Sequence, residues 1–227
     1  MSARSSVKSR TTPFGYTCRR CSRCCQNKHI QLGPYEVARL ARARSESTSQ
    51  FRTAWTVDGA GTSLRQKEDG TCVFLGPQGC EVHADRPLVC RLYPLGRQVL
   101  SDGSEHYLQL EGHPLSEGEF HEQGTVDDYL ESQVAKPFMA ATDGYFKWLS
   151  WAHKQLDLAP AAGASKVGQG VDDVDLLDMD SMIAKHCAAN NESEPENIDD
   201  RLQLHLKLLY HAVSELEERH SEEGSER

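Results

Sequence analysis

Seven of the eight cysteines lie between Phe14 and Pro94, in two groups. The first is Cys18-x-x-Cys21-x-x-Cys24-Cys25; the second is Cys72, Cys80 and Cys90. Short, fixed gaps between thiols suit a metal. A tight Cys-x-x-Cys turn points two sulfurs at one place, and a distant pair completes the shell. His83 stands three residues after Cys80, a spacing that can bring both side chains to one ion. The bland alternative is a set of buried or disulfide-bonded cysteines. Disulfide frameworks rarely place two adjacent cysteines after such a run in a chain without an export signal, so metal binding is preferred.

Counting ligands leaves several metals open. One tetrahedral zinc takes four thiolates or imidazoles. Seven cysteines exceed that, and with His83 they would fill two four-ligand sites. A 4Fe-4S cluster also needs four cysteines, and Cys-x-x-Cys-x-x-Cys is shared with the bacterial ferredoxin run. Adjacent Cys24 and Cys25 point in different directions, so they serve two metals or one of them is not a ligand. Zinc, iron and an iron–sulfur cluster all remain. His29 is close enough to the first group to be a supporting group or spare ligand. Cys187, beside His186 on a predicted helix, is expected to be buried in a small apolar pocket.

These residues resemble the YkgJ-like cysteine-cluster family, also known by its CxxCxxCC motif. Tyr16-Thr17-Cys18 through Cys25 is similar to the leading motif, Cys72-Val73-Phe74-Leu75 to the middle one, and Cys80 to Pro94 to the closing one. The resemblance covers about the first hundred residues and implies a zinc- or iron-chelating domain; the family has no settled activity. Members commonly carry a glycine where this chain has Ser22 and Arg23, and often a tyrosine in place of His83. One relative, the flagellin lysine methylases, looks like the same cluster joined to a larger body.

The rest of the chain must position this stretch. At 227 residues with 38% hydrophobic side chains it can hold one good core and an accessory unit. No apolar run approaches the roughly 20 residues of a membrane span. Met1 to Thr12 is basic and Ser-rich without an apolar segment, so it does not read as a secretory signal, and a reducing cytoplasm is expected. The net charge of -9 is uneven: residues 1–50 carry ten Lys/Arg against two acids, and residues 172–227 carry five against sixteen. The basic front is read as local compensation, with Arg19, Arg20 and Arg23 interleaved among thiolates. No nucleic-acid module motif accompanies it.

The expected fold is α+β: a small, irregular cysteine-rich metal-binding domain with short strands and a helix, then a mainly helical C-terminal region. Residues 1–13 read as a flexible basic tail and 14–115 as the cysteine domain. Gly33-Pro34-Tyr35-Glu36 opens a helix expected to buttress the site. Cys72 to Leu75 reads as strand-like, 97–100 and 106–110 as a hairpin, and 111–124 as a loop. Thr125-x-x-Asp128 caps a helix with Val126, Tyr129, Leu130 and Val134 inward, the start of a helical extension over 125–158. Phe146, Trp148, Leu149 and Trp151 are its core candidates. Residues 159–171 read as a linker, 172–219 as an acidic helical pair and 220–227 as a disordered tail. In the last helix Leu202, Leu206, Leu209, Val213 and Leu216 form a seam for the preceding helix or a protein partner.

The leading function is a cytoplasmic metal-binding protein using Cys18, Cys21, Cys24, Cys25, Cys72, Cys80, Cys90 and His83. An iron–sulfur oxidoreductase or methyltransferase-related enzyme is the first alternative, although no Gly-rich loop follows a strand to bind a nucleoside cofactor. A zinc-dependent nucleic-acid or protein interaction module is the second; it rests on the basic front alone.

Overall fold

The computed structural model describes residues 7–100, 102–156 and 176–225. In chain order it contains β1 (Val7–Lys8), β2 (Pro13–Thr17), α1 (Pro34–Ala43), α2 (Thr48–Trp55), β3 (Leu75–Gly76) and β4 (Gly79–Cys80). Then come α3 (Leu88–Leu92), β5 (Leu95–Val99), β6 (Glu105–Gln109), β7 (Glu119–Thr125), α4 (Val126–Ser132), α5 (Lys136–Gln155), α6 (Met179–Asn190) and α7 (Ile198–Ser225). The class is mixed α+β with a helical C-terminal region. The expected linker lies outside the described residues, whereas α7 continues past Arg219.

Two compact units emerge. The first comprises residues 1–32, 55–57 and 62–139. The second comprises 33–54, 58–61 and 140–227. Sequence order does not follow this partition. The helix expected to buttress the thiols, α1, belongs to the second unit, where it packs on α6 and α7.

The first unit is held by three small antiparallel sheets. The β5–β6 hairpin runs in register from Leu95 opposite Gln109 to Val99 opposite Glu105. Its turn suits the sequence: Asp102 Oδ1 accepts from the Ser104 N–H at 2.8 Å, and Gly103 takes φ 82°. The stretch read as a tail supplies β1, with Val7 opposite Leu108 and Lys8 opposite Tyr107. Arg10 fastens it through Glu105 at 3.0 Å and Asp127 at 2.7 Å. The stretch read as a loop contains β7, which pairs with β2, Tyr16 opposite Phe120 and Thr17 opposite Glu119. Gly15 is required there, since a Cβ would sit 2.0 Å from the His121 ring. The strand read over Cys72 to Leu75 is shorter, starting only at Leu75.

The α4 cap forms as expected: Thr125 N–H donates to Asp128 Oδ2 at 2.8 Å and Asp128 N–H to Thr125 Oγ1 at 3.2 Å. Val126, Tyr129 and Leu130 are buried, but Val134 is 59% exposed. It turns outward because it ends the helix at φ 51°, a left-handed conformation that a β-branched residue adopts only at a cost. Val134→Gly is therefore expected to stabilise the protein by about 1 kcal/mol, the steric relief exceeding glycine's extra unfolded-state entropy. A denaturant midpoint lower than wild type would contradict this.

In the second unit Trp148, Ala152, Leu176, Met182, Leu209 and Val213 form one core cluster, and Ala38, Met179, Ile183 and Cys187 another. The seam of α7 is spent inside this unit, with Leu202, Leu209, Val213 and Leu216 buried. Phe146 is not in the core; it is 61% exposed, on the face of α5 away from Trp148 and Ala152. Fully buried His205 is satisfied on both ring nitrogens, Nδ1 with the Tyr145 hydroxyl at 2.8 Å and Nε2 with Leu176 O at 3.0 Å. Asp178 caps α6 through the Ser181 N–H at 3.1 Å and accepts from the Thr48 hydroxyl at 2.5 Å.

Candidate metal centre

β2 delivers the chain to Cys18, and its position is fixed from behind. Phe14 is buried against Tyr129, ring centroids 5.1 Å apart, while the Tyr129 hydroxyl donates to Tyr93 O at 2.5 Å. The segment after Cys18 must then turn sharply. Arg20 (φ 55°) and Ser22 (φ 58°) both adopt left-handed conformations, and a single 3-10 turn follows over Arg23–Cys25. Ser22 thus does what a glycine there would do without a steric cost.

The two cysteine groups are joined by backbone. Asn27, also left-handed at φ 51°, donates its N–H to Gly70 O at 2.9 Å. Gln26 forms an antiparallel bridge with Thr71, and the Cys72 N–H donates to Cys25 O at 2.8 Å. Gly70 takes φ 79°, a left-handed conformation that favours glycine, and a Cβ there would displace the Asn27 side chain. Cys72 also bridges Gln66, and Cys80 lies opposite Leu75 in the β3–β4 hairpin.

All eight cysteines are thiols, and the seven of the two groups are at least partly accessible. Cys24, Cys25, Cys72 and Cys80 come within electrostatic reach of one another. The Cys24 and Cys25 thiols are hydrogen-bonded together. That bond outweighs burial and, with Lys28 and Arg86 nearby, brings Cys24 down to about 7. Cys25, the donor of the pair, is pushed up by the same bond, by burial and by its thiol neighbours. Burial also pushes up Cys72 and Cys80. Cys21 lies beside Ser116 and Glu117. Burial opposes its ionisation, but the Glu117 and Arg23 backbone and the Ser116 hydroxyl hold it below the ordinary thiol range. Cys18 is exposed and accepts the Arg20 N–H at 3.4 Å; it shares with Cys24 the surroundings of Tyr129. Cys90 lies in α3, its N–H donated to Pro87 O at 3.0 Å.

His83 occupies a 3-10 turn, its Nδ1 3.4 Å from Arg86 Nη1. Burial and the Arg86, Arg20 and Arg91 charges favour its neutral form, which is the ligating one. His29 instead meets the Ser63 hydroxyl at 3.0 Å. The cations beside Cys24 are Lys28 and Arg86, whereas Arg19 pairs with Glu119 at 3.0 Å.

Arg91, which reads in the sequence as no more than an exposed surface arginine, is instead a buried anchor. It is 3% exposed. Its guanidinium donates to Arg86 O at 2.9 Å, Ala84 O at 2.5 Å and Gln133 O at 2.9 Å, and lies 3.9 Å over the Phe138 ring. One side chain thereby closes the loop from His83 to Cys90 onto the end of α4. Arg86 reaches the same place, donating to His83 O at 2.7 Å and Gln133 Oε1 at 2.8 Å.

Among the described residues, no three or more His, Cys, Asp or Glu side chains already stand in an arrangement that could hold a metal ion. The donor chemistry nonetheless fits one: four soft thiols from both groups are gathered beside two cations, as a multi-thiolate ion requires.

Fold and site together define a thiol-rich α+β domain whose donor set suits a metal ion. Residues 17–111, less than half of the chain, match the family model CxxCxxCC, described as a putative zinc- or iron-chelating domain. That stretch contains all seven clustered cysteines. No curated protein and no solved structure matches the chain. No described helix is long and apolar enough to cross a membrane.

Proposed function

We propose that the protein is a cytoplasmic metal chelator, holding zinc or iron on thiolates of Cys18, Cys21, Cys24, Cys25, Cys72, Cys80 and Cys90, with His83 as an eighth donor. The observation that carries this reading is the approach of Cys24 and Cys25 to Cys72 and Cys80, donors from the two cysteine groups. Bound metal would supply a cross-link between those segments and, if iron in a sulfide cluster, electron transfer. The chain's own part is to bring the thiols together through the Gln26–Thr71 bridge and to offset their charge with Lys28 and Arg86.

Elemental analysis of protein purified without oxygen tests it. Zinc in a colourless sample, or iron in a brown one with broad visible absorption, is expected at one or more ions per chain. Neither metal above trace level, before or after reconstitution, would overturn the reading.

A further inference from the structure

We propose that Cys25 and Cys72 form a thiol–disulfide modification site, closed by hydroperoxides, that competes with metal for the same two sulfurs. Competition with metal rests on the reading above; the disulfide itself does not.

The geometry is that of a backbone-bonded pair. Gln26 and Thr71 form an isolated antiparallel bridge, and beside it, where Cys25 closes the 3-10 turn, the Cys72 N–H donates to Cys25 O at 2.8 Å, so the two cysteines are backbone-paired neighbours across the bridge. Residues hydrogen-bonded to each other across an antiparallel bridge have Cα atoms about 4.5–5.5 Å apart. A disulfide needs about 4.4–6.8 Å. Both residues are partly accessible, so a small oxidant can reach them. Two of the competing pairs are worse placed. Cys24 and Cys25 are neighbours in sequence, and bridging them would force a strained ring on their shared peptide bond. Cys80 lies opposite Leu75, not opposite Cys72.

In the chemistry, one thiolate attacks the peroxide O–O bond and becomes a sulfenic acid, releasing the other oxygen as alcohol (water, from hydrogen peroxide). The second thiol attacks that sulfur and expels water. Two thiols and one hydroperoxide thus give one disulfide, one alcohol and one water. The two sulfurs supply both electrons.

Metal-free full-length protein is treated with one equivalent of hydrogen peroxide, alkylated, digested and mapped by mass spectrometry. A Cys25–Cys72 cross-link is expected as the dominant product, lost in Cys25→Ser and Cys72→Ser but retained in Cys80→Ser. Persistence of both thiols, or a dominant cross-link at any other pair, would overturn the inference. In a second arm the zinc-reconstituted protein is oxidised with a chromogenic zinc chelator present. Zinc release in step with the cross-link supports competition. A cross-link that forms equally fast with and without zinc, and releases none, keeps the modification site but removes the metal from these two sulfurs.

Discussion

Cys25→Ser and Cys72→Ser are each expected to weaken metal retention by about a hundredfold or more. A thiolate site worth about 10–16 kcal/mol loses about a quarter of that with one of four ligands, and about 1.4 kcal/mol is a factor of ten. Cys187→Ser should change nothing, because Cys187 is packed with Ala38, Met179 and Ile183 in the other unit. Competition with a chelator of known affinity measures the difference, and equal retention in all three variants would remove the two bridging cysteines from the site. Retention and folding should also be linked. Between Cys18 and Cys90 the first unit buries few large apolar side chains, chiefly Ile30, Leu32, Leu64, Phe74, Val82 and Leu88. Stripping the metal is therefore expected to expose this unit to protease while the helical unit keeps its far-ultraviolet signal.

Arg91→Ala is expected to destabilise the first unit by about 3 kcal/mol or more, since it leaves three carbonyls without their donor and uncovers the Phe138 ring. Arg91→Lys should recover little: an ammonium cannot present the planar fork that spans Arg86 O, Ala84 O and Gln133 O. The denaturant midpoint of the first unit, measured for wild type and variants at the same saturating metal concentration, reads this. A shift no larger than that of Arg44→Ala, a half-buried arginine of the other unit paired with Glu46, would show that the loop from His83 to Cys90 does not depend on Arg91.

Local signals in the sequence were legible where chemistry is local. The helix entry at Gly33-Pro34 and the cap at Thr125–Asp128 satisfy N–H groups within three residues, as in the bond from Gly33 N–H to Glu36 Oε2 at 2.7 Å. The β5–β6 hairpin is set by its own turn. What was not legible depends on distant partners. Glu119–Thr125 reads as a polar loop because most of its side chains are exposed, and only pairing with β2, about a hundred residues earlier, makes it a strand. The N-terminal stretch is ordered by Arg10 reaching Glu105 and Asp127, which no periodicity encodes. In the candidate site, spacing grouped the thiols, but the pairing of Cys25 and Cys72 comes with the Gln26–Thr71 bridge. Arg91 looked like a surface charge because nothing in its neighbours announces the carbonyls of Ala84 and Gln133.

X-ray absorption at the metal edge of anaerobically purified protein tests the central proposal most directly. For zinc, a first shell dominated by sulfur at about 2.3 Å is predicted, diminished in Cys25→Ser and Cys72→Ser. A shell of nitrogen and oxygen alone at about 2.0–2.2 Å, unchanged in those variants, would contradict it.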